Sequence, residues 1–580
     1  MRERGGTWRF RWVGVTMTAA VAGLLFRLYM LHVVAAVPGP PDLAKGRSFE
    51  RDLHGNRGRV LESGPLRNTL ALNIDRKDLC IDPQRLQEND MVSRAARVLA
   101  AELDLDVDVL AVRFSKPGRR FEYVKRFVSP DEAERIMQLD LPGIFLRDSV
   151  LRHYPLESFL CHVIGFVNLE GVGSAGVEQQ LNRWLTGTSG IRHELLDGGR
   201  REIPDRRIRE VSPRAGADVV LTIDQTVQNL MEQALDGAMR EHGARAAWAV
   251  AQRVRTGEIL AMASRPAYDA NEFRTSSEDQ RLNRPIGMVF EPGSVMKPMV
   301  IAAAINEGLI TPASVFDCEN GSWIHARRPL RDYSPHGRLS VAEIMQKSSN
   351  IGTAKIALEL GEPRLEQYLR EFGFGSVSGI DLPGEEKGIL HSHRRWSALC
   401  SSRIAIGQGV ATTALQMLNA ISAIANDGYL MQPYVVREVR RHGDGELLYT
   451  GEPKVLRRPI SARTAADVTA MMRRVTEQGG TGRAASLDTV SVAGKTGTGQ
   501  QAVDGRYSET DYTATFVGFF PAESPEISML IVVDAPKPRY TGGAVAAPIF
   551  RQVAEPLVRY LDVGEPAMHL ARTPQDGFSE

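Results

Sequence analysis

The chain has 580 residues, of which 43% are hydrophobic and 24% charged, and its formal net charge is +1. This length and composition predict a globular protein with two or more domains. A near-neutral chain lacks the global basic field of a nucleic-acid binder, so we expect no nucleic-acid partner. Four cysteines, Cys80, Cys161, Cys318 and Cys400, lie far apart, which argues against a disulfide-dense scaffold and against a zinc ribbon.

The N-terminus has a basic segment followed by an apolar one. Four arginines precede the uncharged run Trp12–Phe26, which predicts a cytoplasmic N-terminus, residues 1–11, and an exported remainder. The run is short for a membrane span, but Arg27 can snorkel to the interface, so residues 12–34 are predicted to form an anchor. The alternative is a signal peptide cleaved at Val34-Ala35-Ala36. An arginine inside its apolar region would be unusual, which favours the uncleaved anchor.

Two modules are predicted after the anchor. Residues 38–213 are rich in Arg, Glu and Gly, with short alternating runs such as Leu70–Ile74 and Cys161–Asn168. This pattern indicates a mixed α+β module, and nothing in it resembles an active site. Residues 216–560 form the second module, and residues 561–580 a short tail.

The second module opens with clear patterns of secondary structure. Asp218–Asp224 is predicted to be a strand, and Gln225–His242 an amphipathic helix with apolar residues at helical spacing. Ala247–Ala251 and Ile259–Ala263 flank a turn and predict a hairpin.

The first candidate catalytic segment follows this hairpin. Pro292 and Gly293 predict a turn, and Ser294 is expected to start a buried, Ala-rich helix. Ser294 and Lys297, three residues apart, share one helix face, where a lysine with a lowered pKa could take the serine proton. The Ser294 backbone N–H would point to where an oxyanion forms. Taken alone, the segment is better explained as an N-capping serine beside a surface lysine.

A loop further on collects several residues that can bind metals. Asp317, Cys318, His325, Asp332 and His336 lie within twenty residues, but their spacing is irregular and the loop is rich in Gly, Pro and Arg. This composition favours a solvated connector, and we expect neither a metal nor another cofactor.

The second candidate segment is Ser348-Ser349-Asn350. Ser340–Lys347 predicts a short helix, and the segment then opens another helix, Ile351–Leu360. Ser348 could relay a proton and Asn350 could hold an amide substrate. By itself, the segment is better explained as helix capping.

The third candidate segment is Lys495-Thr496-Gly497-Thr498. It ends the run Thr489–Thr498, which alternates as a strand does. Thr513–Phe520 and Ile527–Val533 supply neighbouring strands, so an antiparallel sheet is predicted. Lys495 and the two threonine hydroxyls suit a substrate carboxylate, and the Thr498 N–H is the candidate for a second oxyanion donor. The polar residues Gln500–Asp511 that follow predict a mobile loop.

The three segments, in this order, match the set found in penicillin-binding proteins and serine β-lactamases. The chain most resembles a class B penicillin-binding protein of the division-specific, FtsI-type branch, a family of membrane-anchored peptidoglycan D,D-transpeptidases. The resemblance extends to about Leu561 and also rests on Arg57-Gly58, Gly176-Val-Glu178, Trp184-Leu-Thr-Gly187, Val289-Phe-Glu-Pro-Gly-Ser294, Gly379-Ile-Asp-Leu-Pro-Gly384, Ile406-Gly-Gln-Gly409, Tyr540-Thr-Gly-Gly543 and Ala547-Pro548.

The resemblance implies a role for each candidate residue. Ser294 would attack the penultimate D-alanine carbonyl of a stem peptide ending in D-Ala-D-Ala, and an amino group of a second stem peptide would take the acyl group. Lys297 would be the base, Ser348 the proton relay and Asn350 a ligand of the peptide amide. The segment Lys495-Thr496-Gly497-Thr498 would supply the carboxylate and oxyanion contacts. β-Lactams would acylate the same serine.

Two differences from the β-lactamase motifs help to choose between a transpeptidase and a β-lactamase. The middle motif is Ser-Ser-Asn rather than Ser-Asp-Asn, and no Glu-x-x-Leu-Asn string lies between Asn350 and Lys495 to position a deacylating water. This favours a transferase over a β-lactamase. A penicillin sensor would need a larger cytoplasmic part than residues 1–11.

The resemblance also implies an architecture, partners and a location. The expected fold is α+β and multidomain, with a single transmembrane helix, a noncatalytic α+β pedestal module and a transpeptidase domain in which helices flank an antiparallel sheet. No glycosyltransferase domain fits residues 38–213. We therefore expect a lipid II-polymerising glycosyltransferase of the SEDS family, and other divisome membrane proteins, as partners. The catalytic domain would lie outside the cytoplasmic membrane. The choice of a septal over an elongation role rests on the resemblance alone.

Overall fold

The computed structural model describes residues 7–30, 48–53, 55–64, 66–195, 209–503 and 506–564. The chain divides into two compact units. The first comprises residues 1–56 and 187–215, and the second comprises residues 57–186 and 216–580.

Both units contain helices and strands. The α-helices are α1 (Thr7–Tyr29), α2 (Pro83–Glu88), α3 (Val92–Leu103), α4 (Val107–Phe114), α5 (Pro130–Met137), α6 (Cys161–Ile164), α7 (Gly176–Gln180), α8 (Asn182–Leu185), α9 (Gln225–His242), α10 (Glu278–Arg281), α11 (Arg284–Gly287), α12 (Lys297–Asn306), α13 (Val341–Lys347), α14 (Asn350–Leu360), α15 (Glu362–Glu371), α16 (Cys400–Ile404), α17 (Ala414–Ala425), α18 (Ala462–Thr476) and α19 (Ala546–Tyr560). The strands are β1 (Ser48–Leu53), β2 (Val60–Leu61), β3 (Thr69–Ile81), β4 (Glu122–Val128), β5 (Ile144–His153), β6 (Gly190–Leu195), β7 (Arg209–Val211), β8 (Asp218–Leu221), β9 (Ala246–Arg253), β10 (Ile259–Arg265), β11 (Val315–Asp317), β12 (Ser322–His325), β13 (Arg328–Arg331), β14 (Arg338–Ser340), β15 (Leu430–Met431), β16 (Val436–Arg440), β17 (Leu447–Thr450), β18 (Val455–Arg457), β19 (Ala493–Val503), β20 (Arg506–Phe520) and β21 (Ile527–Asp534).

Helix α1 contains the segment predicted to be the membrane anchor. Its residues Arg11–Tyr29 have a mean hydropathy of 1.4 and are long enough to cross a membrane, and no part of this stretch is buried against the protein. The helix is therefore a candidate membrane anchor. The predicted span continues to residue 34, but residues 31–34 and the alternative cleavage site at 34–36 lie outside the described residues.

The first unit also contains a small antiparallel sheet in the order β1-β6-β7. Ser48 pairs with Leu195 and Leu53 pairs with Gly190, so the register is continuous along the whole of β1. An isolated bridge between Thr188 and Arg214 extends the pairing beyond β7.

The second unit contains a seven-stranded sheet in the order β17-β16-β8-β2-β3-β4, with β5 also paired to β3. It joins strands of both predicted modules, because β2 of the first module pairs in parallel with β8 of the second. A separate apolar core lies between β3 and helices α2 to α5 and includes Leu79, Leu99 and Phe114. The run Cys161–Asn168 does not form the expected alternating strand. The run begins with helix α6, whose four residues are all buried. The alternation of polar and apolar residues in this run therefore does not correspond to alternate exposed and buried positions.

A buried ion cluster ties the N-terminal strands of this unit to helix α7. The Glu178 carboxylate, with no exposed side-chain surface, accepts from Arg57 Nε at 2.5 Å and from Arg152 Nε at 2.7 Å. Arg57 also donates to the Glu178 carbonyl, and Arg152 donates to the Gly58 carbonyl and to Asn73. Removing one member of such a cluster leaves the other charges buried without compensation, which is more costly than losing the whole cluster.

Replacing Glu178 by alanine is therefore expected to lower the free energy of unfolding by about 3–5 kcal/mol, because two nearly buried guanidiniums lose their counter-ion. Thermal unfolding of the full chain in detergent, followed by limited proteolysis, measures the loss. The matched control is the exposed neighbour Gln179→Ala, expected to change stability by less than about 0.5 kcal/mol. Equal melting of the two variants would contradict this account of the cluster.

A second sheet of the same unit forms the frame of the site. Its order is β10-β9-β21-β20-β19, and every neighbouring pair is antiparallel. Strand β9 shows the alternation of a sheet covered on both faces: Trp248 and Val250 belong to one apolar core, and Ala247, Ala249 and Ala251 to another. Helices α9 and α19 contribute to the second core, and α12, α14 and α17 to the first. The predicted antiparallel sheet flanked by helices is confirmed.

Most element predictions in this part of the chain are confirmed, but the end of β8, the start of β19 and the predicted loop Gln500–Asp511 were wrong; β8 ends at Leu221 rather than Asp224. Helix α9 spans the predicted Gln225–His242, and β9 and β10 form the predicted hairpin. Strand β19 begins at Ala493 rather than Thr489. The predicted loop Gln500–Asp511 is instead largely the end of β19 and the start of β20, and only residues 504–505 between them lie outside the described residues.

Candidate active site

Ser294 lies in a 3-10 turn, Gly293–Met296, that leads directly into helix α12. The sequence predicted that Ser294 would begin the α-helix itself. An α-helical hydrogen bond to the Ser294 carbonyl would need the N–H of residue 298, and Pro298 has none. The Lys297 N–H makes this bond instead, which tightens the turn to the 3-10 form. Residues i and i+3 eclipse in such a turn, so Ser294 and Lys297 still share one face.

The edge strand β19 passes close to this turn. A Cβ atom at Gly497 would lie 3.1 Å from the Pro292 carbonyl oxygen and 3.1 Å from the Val295 side chain. On the other side of the turn, a Cβ at Gly407 would lie 2.2 Å from the Gly293 carbonyl oxygen, and Gly407 has φ +76°. Glycine at both positions lets three backbone segments meet around Ser294.

The Lys297 ammonium is fully buried and faces the second motif. Lys297 Nζ donates to the Ser348 carbonyl at 2.6 Å, to Ser348 Oγ at 3.1 Å and to Asn350 Oδ1 at 2.7 Å. The Ser294 hydroxyl is half-buried and has no hydrogen-bond partner within the described part of the chain. Ser294 is therefore accessible, and hydrogen bonds to Ser348 and Asn350 fix the position of Lys297 on the same face of the turn.

Ser348 lies between two lysines. It ends helix α13 in the left-handed conformation, with φ 61°, which turns its side chain away from the helix axis. Its Oγ accepts from Lys495 Nζ at 2.9 Å as well as from Lys297. The three motifs that the sequence places far apart thus meet at one hydroxyl.

Asn350 begins helix α14 and uses both ends of its side-chain amide. Its Oδ1 accepts from Lys297, and its Nδ2 donates to the Arg331 carbonyl at 2.7 Å. Ser349 caps the same helix by accepting from the Gly352 N–H. The capping interpretation is therefore correct for Ser349, while Ser348 and Asn350 point at the lysines.

Asp332 is a site residue that the sequence did not identify. Its Oδ1 accepts from the backbone N–H groups of Asn350 and Ile351, and its Oδ2 accepts from Ser349 Oγ at 2.7 Å. The sequence suggested Asp332 only as an improbable metal ligand. The hairpin of β12 and β13, which precedes it, brings it to the start of α14, and no local pattern indicates that contact. In the described residues, no group of three or more His, Cys, Asp or Glu is placed to hold a metal.

The two lysines have strongly altered acidity. Burial lowers the pKa of Lys297 to about 7, although the negative charge of Asp332 opposes this. Burial, and then the charge of Lys297, lowers the pKa of Lys495 well below its ordinary value. Two ammonium groups that share one hydroxyl repel each other, so the pair of lysines loses a proton more readily than an isolated lysine does.

Residues 495–498 present different groups to the cleft. Lys495 is fully buried, and besides Ser348 it donates to the Thr496 carbonyl. Thr496 is nearly buried and shares a hydrogen bond with Thr481, whereas Thr498 is exposed. Thr498 Oγ1 accepts from the Gly542 N–H at 3.1 Å, which leaves its own proton free for a ligand. An anion in the cleft would thus meet the Thr498 hydroxyl directly, and its negative charge would favour the protonated form of Lys495 behind that hydroxyl.

Glu291, three residues before Ser294, is a second residue without a predicted role. Its Oε1 accepts from the Gly409 N–H at 2.8 Å and from the Tyr507 hydroxyl at 3.2 Å. Burial raises the pKa of this carboxyl. The contact joins the Ser294 turn to the loop after α16 and to strand β20.

An accessible serine, a buried lysine with a lowered pKa and a Lys-Thr-Gly-Thr edge strand on an antiparallel sheet are together the features of a serine acyltransferase. Residues 247–555 match the family described as penicillin binding protein transpeptidase domain, and residues 52–221 match the penicillin-binding protein dimerisation domain. The chain belongs to the penicillin-binding protein transpeptidase family.

Named relatives agree with this assignment. The chain is 31% identical to peptidoglycan D,D-transpeptidase FtsI of Escherichia coli K12, an alignment that covers 97% of this chain and 93% of that one. It is 34% identical to the probable peptidoglycan D,D-transpeptidase PenA of Neisseria gonorrhoeae, over 83% and 81% of the two chains. Among solved structures, penicillin binding protein 3 of Mycobacterium tuberculosis, complexed with aztreonam, is 28% identical and superposes with a TM-score of 0.69 over 89% of this chain and 99% of that one.

Proposed function

We propose that this protein is a membrane-anchored serine D,D-transpeptidase that cross-links peptidoglycan stem peptides and is acylated by β-lactams. The observation that carries the proposal is the convergence of Lys297 and Lys495 on Ser348 beside the accessible Ser294. A hydrolase or transferase that uses a serine nucleophile needs such a base within reach.

In the proposed reaction, neutral Lys297 takes the proton of Ser294 as Ser294 Oγ attacks the carbonyl of the penultimate D-alanine. The peptide C–N bond then breaks, and Ser348, between the two lysines, passes a proton to the departing D-alanine amine. The acyl group remains on Ser294 as an ester. The amine of a second stem peptide attacks this ester and forms the new C–N bond as the ester C–O bond breaks. Its proton passes through Lys297 to Ser294 Oγ, which restores neutral Lys297 and protonated Ser294.

The remaining residues bind the donor peptide in this proposal. The backbone N–H groups of Ser294 and Thr498 stabilise the oxyanion, and Gly497 lets the strand approach closely enough for both to reach it. Asn350 holds the peptide amide. Thr496 and Thr498 bind the terminal carboxylate through their hydroxyls, and the negative charge of the carboxylate favours the protonated form of Lys495 behind them.

The cellular role and location are part of the proposal. Residues 12–34 anchor the chain with residues 1–11 in the cytoplasm, residues 38–213 form the pedestal, and residues 216–560 form the catalytic domain outside the membrane. Similarity to FtsI along 97% of the chain supports a septal role in cell division. We further propose a SEDS-family glycosyltransferase and other divisome membrane proteins as partners. Co-purification of the full chain with a septal but not an elongation glycosyltransferase would support this, and the reverse preference would contradict it.

The catalytic proposal is tested by incubating the full chain with a D-Ala-D-Ala peptide and an amine acceptor. We expect release of D-alanine and formation of the amide product, with transfer exceeding hydrolysis. Rapid hydrolysis of benzylpenicillin at steady state would instead favour a β-lactamase, the second candidate function.

The pH dependence of acylation tests the role of Lys297. Because the base must be neutral, the rate of acylation by benzylpenicillin should fall about tenfold per pH unit below a midpoint near pH 7 and level off above it. The Asp332 charge favours the ammonium form, so Asp332→Asn should move this midpoint to lower pH. The control Asp317→Asn, an exposed neighbour, should leave it in place. An unchanged midpoint in Asp332→Asn would refute the electrostatic role of Asp332.

A further inference from the structure

A large cleft opens beside the candidate active site. It has a volume of about 1310 Å³, and its lining includes Gly409 and Gln500. Gly409 donates its N–H to Glu291, three residues before Ser294, and Gln500 follows Thr498 by two residues in strand β19. The cleft therefore begins next to the turn that carries Ser294, along the part of β19 that follows Thr498.

Three arginines line the cleft. Arg328, Arg395 and Arg403 all contribute to its wall, and within the described residues none of them has a carboxylate partner. Arg403 donates to the Pro329 carbonyl, and its partial burial lowers its pKa. Withdrawing the Arg403 guanidinium from water without pairing it is unfavourable, whereas Arg328 and Arg395 are exposed on the same wall. Three like charges around one cleft repel one another, so this arrangement is more readily explained by an anionic ligand than by stability.

One acidic group borders the lining. In the described part of the chain, the only carboxylate bonded to a lining residue is that of Glu291, which accepts from the Tyr507 hydroxyl and the Gly409 N–H. Glu291 is therefore already engaged with neutral donors, and the three guanidiniums remain available.

The burial of residues along β19 indicates the direction in which an extended donor peptide would run from the site. Residues 493–497 are buried, whereas Thr498 is exposed and Gly499 and Gln500 are partly accessible. A peptide whose terminal carboxylate lies at Thr498 meets accessible strand in the direction of Gln500. At about 3.3 Å per extended residue, its next residues reach the mouth of the cleft.

We propose that the cleft lined by Arg328, Arg395 and Arg403 binds a carboxylate of the donor stem peptide upstream of the scissile bond. This inference rests on the proposed transpeptidase function and adds a subsite to it. The acceptor peptide is a poorer occupant, because its reacting group is an amine and three guanidiniums disfavour the approach of its protonated form.

The test uses the full chain in detergent and two D-Ala-D-Ala peptides that differ only in a carboxylate or a carboxamide on the preceding residue. The rate of D-alanine release is measured with an amine acceptor that carries no carboxylate. Wild type should prefer the carboxylate peptide by about tenfold in kcat/KM, and the preference should weaken at high ionic strength.

The double variant Arg328→Gln/Arg395→Gln should lose most of this preference for the carboxylate peptide. The control Arg327→Gln/Arg394→Gln removes the same charge from exposed neighbours that do not line the cleft, and should keep it.

Three results would overturn the donor subsite. Wild type could show no preference, or both double variants could lose it equally, which would indicate a diffuse field. Alternatively, the loss could be confined to transfer onto carboxylate-bearing amine acceptors, which would assign the cleft to the acceptor. Benzylpenicillin acylation of wild type separates this inference from its premise. If wild type were neither acylated nor able to release D-alanine, the transpeptidase function itself would fail, and the subsite with it.

Discussion

Replacing Ser294 by alanine is expected to abolish both covalent labelling by a fluorescent penicillin and D-alanine release from a donor peptide. The Ser294 hydroxyl is half-buried and makes no hydrogen bond within the described residues, so its removal takes away the nucleophile and little else. Ser348, the hydroxyl that contacts Lys297 within the described residues, already accepts hydrogen bonds from both Lys297 and Lys495. In-gel fluorescence of the full chain measures the labelling.

The control for this variant is Ser115→Ala, an exposed serine at the end of α4, which should label like wild type. Melting of Ser294→Ala should also match wild type, so that lost labelling reports chemistry rather than unfolding. Labelling of Ser294→Ala at the wild-type rate would rule out Ser294 as the nucleophile.

Replacing Lys297 by methionine is expected to slow acylation by about 10³-fold, within the range that a positioned general base contributes. Methionine has a similar length and no charge, so it fits the fully buried position without stranding an ion. The variant leaves Asn350 Oδ1 and the Ser348 carbonyl without their lysine donor, a small structural effect beside the loss of the base. Stopped-flow measurement of β-lactam acylation gives the rate.

Lys347→Met is the matched control, because Lys347 is exposed and, within the described residues, donates only to the Gly479 carbonyl. Its acylation rate should stay within about twofold of wild type. The residual rate of Lys297→Met should also lose the acid limb near pH 7, since the titrating amine is gone. A Lys297→Met rate within tenfold of wild type would mean that another group takes the Ser294 proton.

The sequence predicted the parts of the site that depend on local patterns. The hydrophobic period of Gln225–His242 predicted the limits of α9, and the predicted helix Ser340–Lys347 differs from α13 by one residue, because Ser340 is its N-cap. The order of the three motifs identified Ser294, Lys297, Ser348, Asn350 and residues 495–498 as one set. The 3-10 turn at Ser294 was also predictable in principle, because Pro298 cannot donate the bond that an α-helix would need.

Other features depend on contacts between distant segments and left no local signal. Asp332 reaches the start of α14 through the hairpin of β12 and β13, and a lone aspartate in a polar loop does not reveal this. The hairpin after Gln500 was taken for a loop because its residues are polar, yet Gln500 pairs with Tyr512 across the strands. The cleft of Arg328, Arg395 and Arg403 joins three segments whose arginines are ordinary when considered one at a time.

The central claim is that an acyl group passes through Ser294 on its way from one peptide to another. The most direct measurement is mass spectrometry of wild-type protein quenched during turnover of a D-Ala-D-Ala donor, with proteolytic mapping of the modified residue. The account predicts a mass increase equal to the acyl part of the donor, located on the peptide containing Ser294 and removed when an amine acceptor is added. An acyl group on another residue, or product formation without any acylated protein, would contradict it.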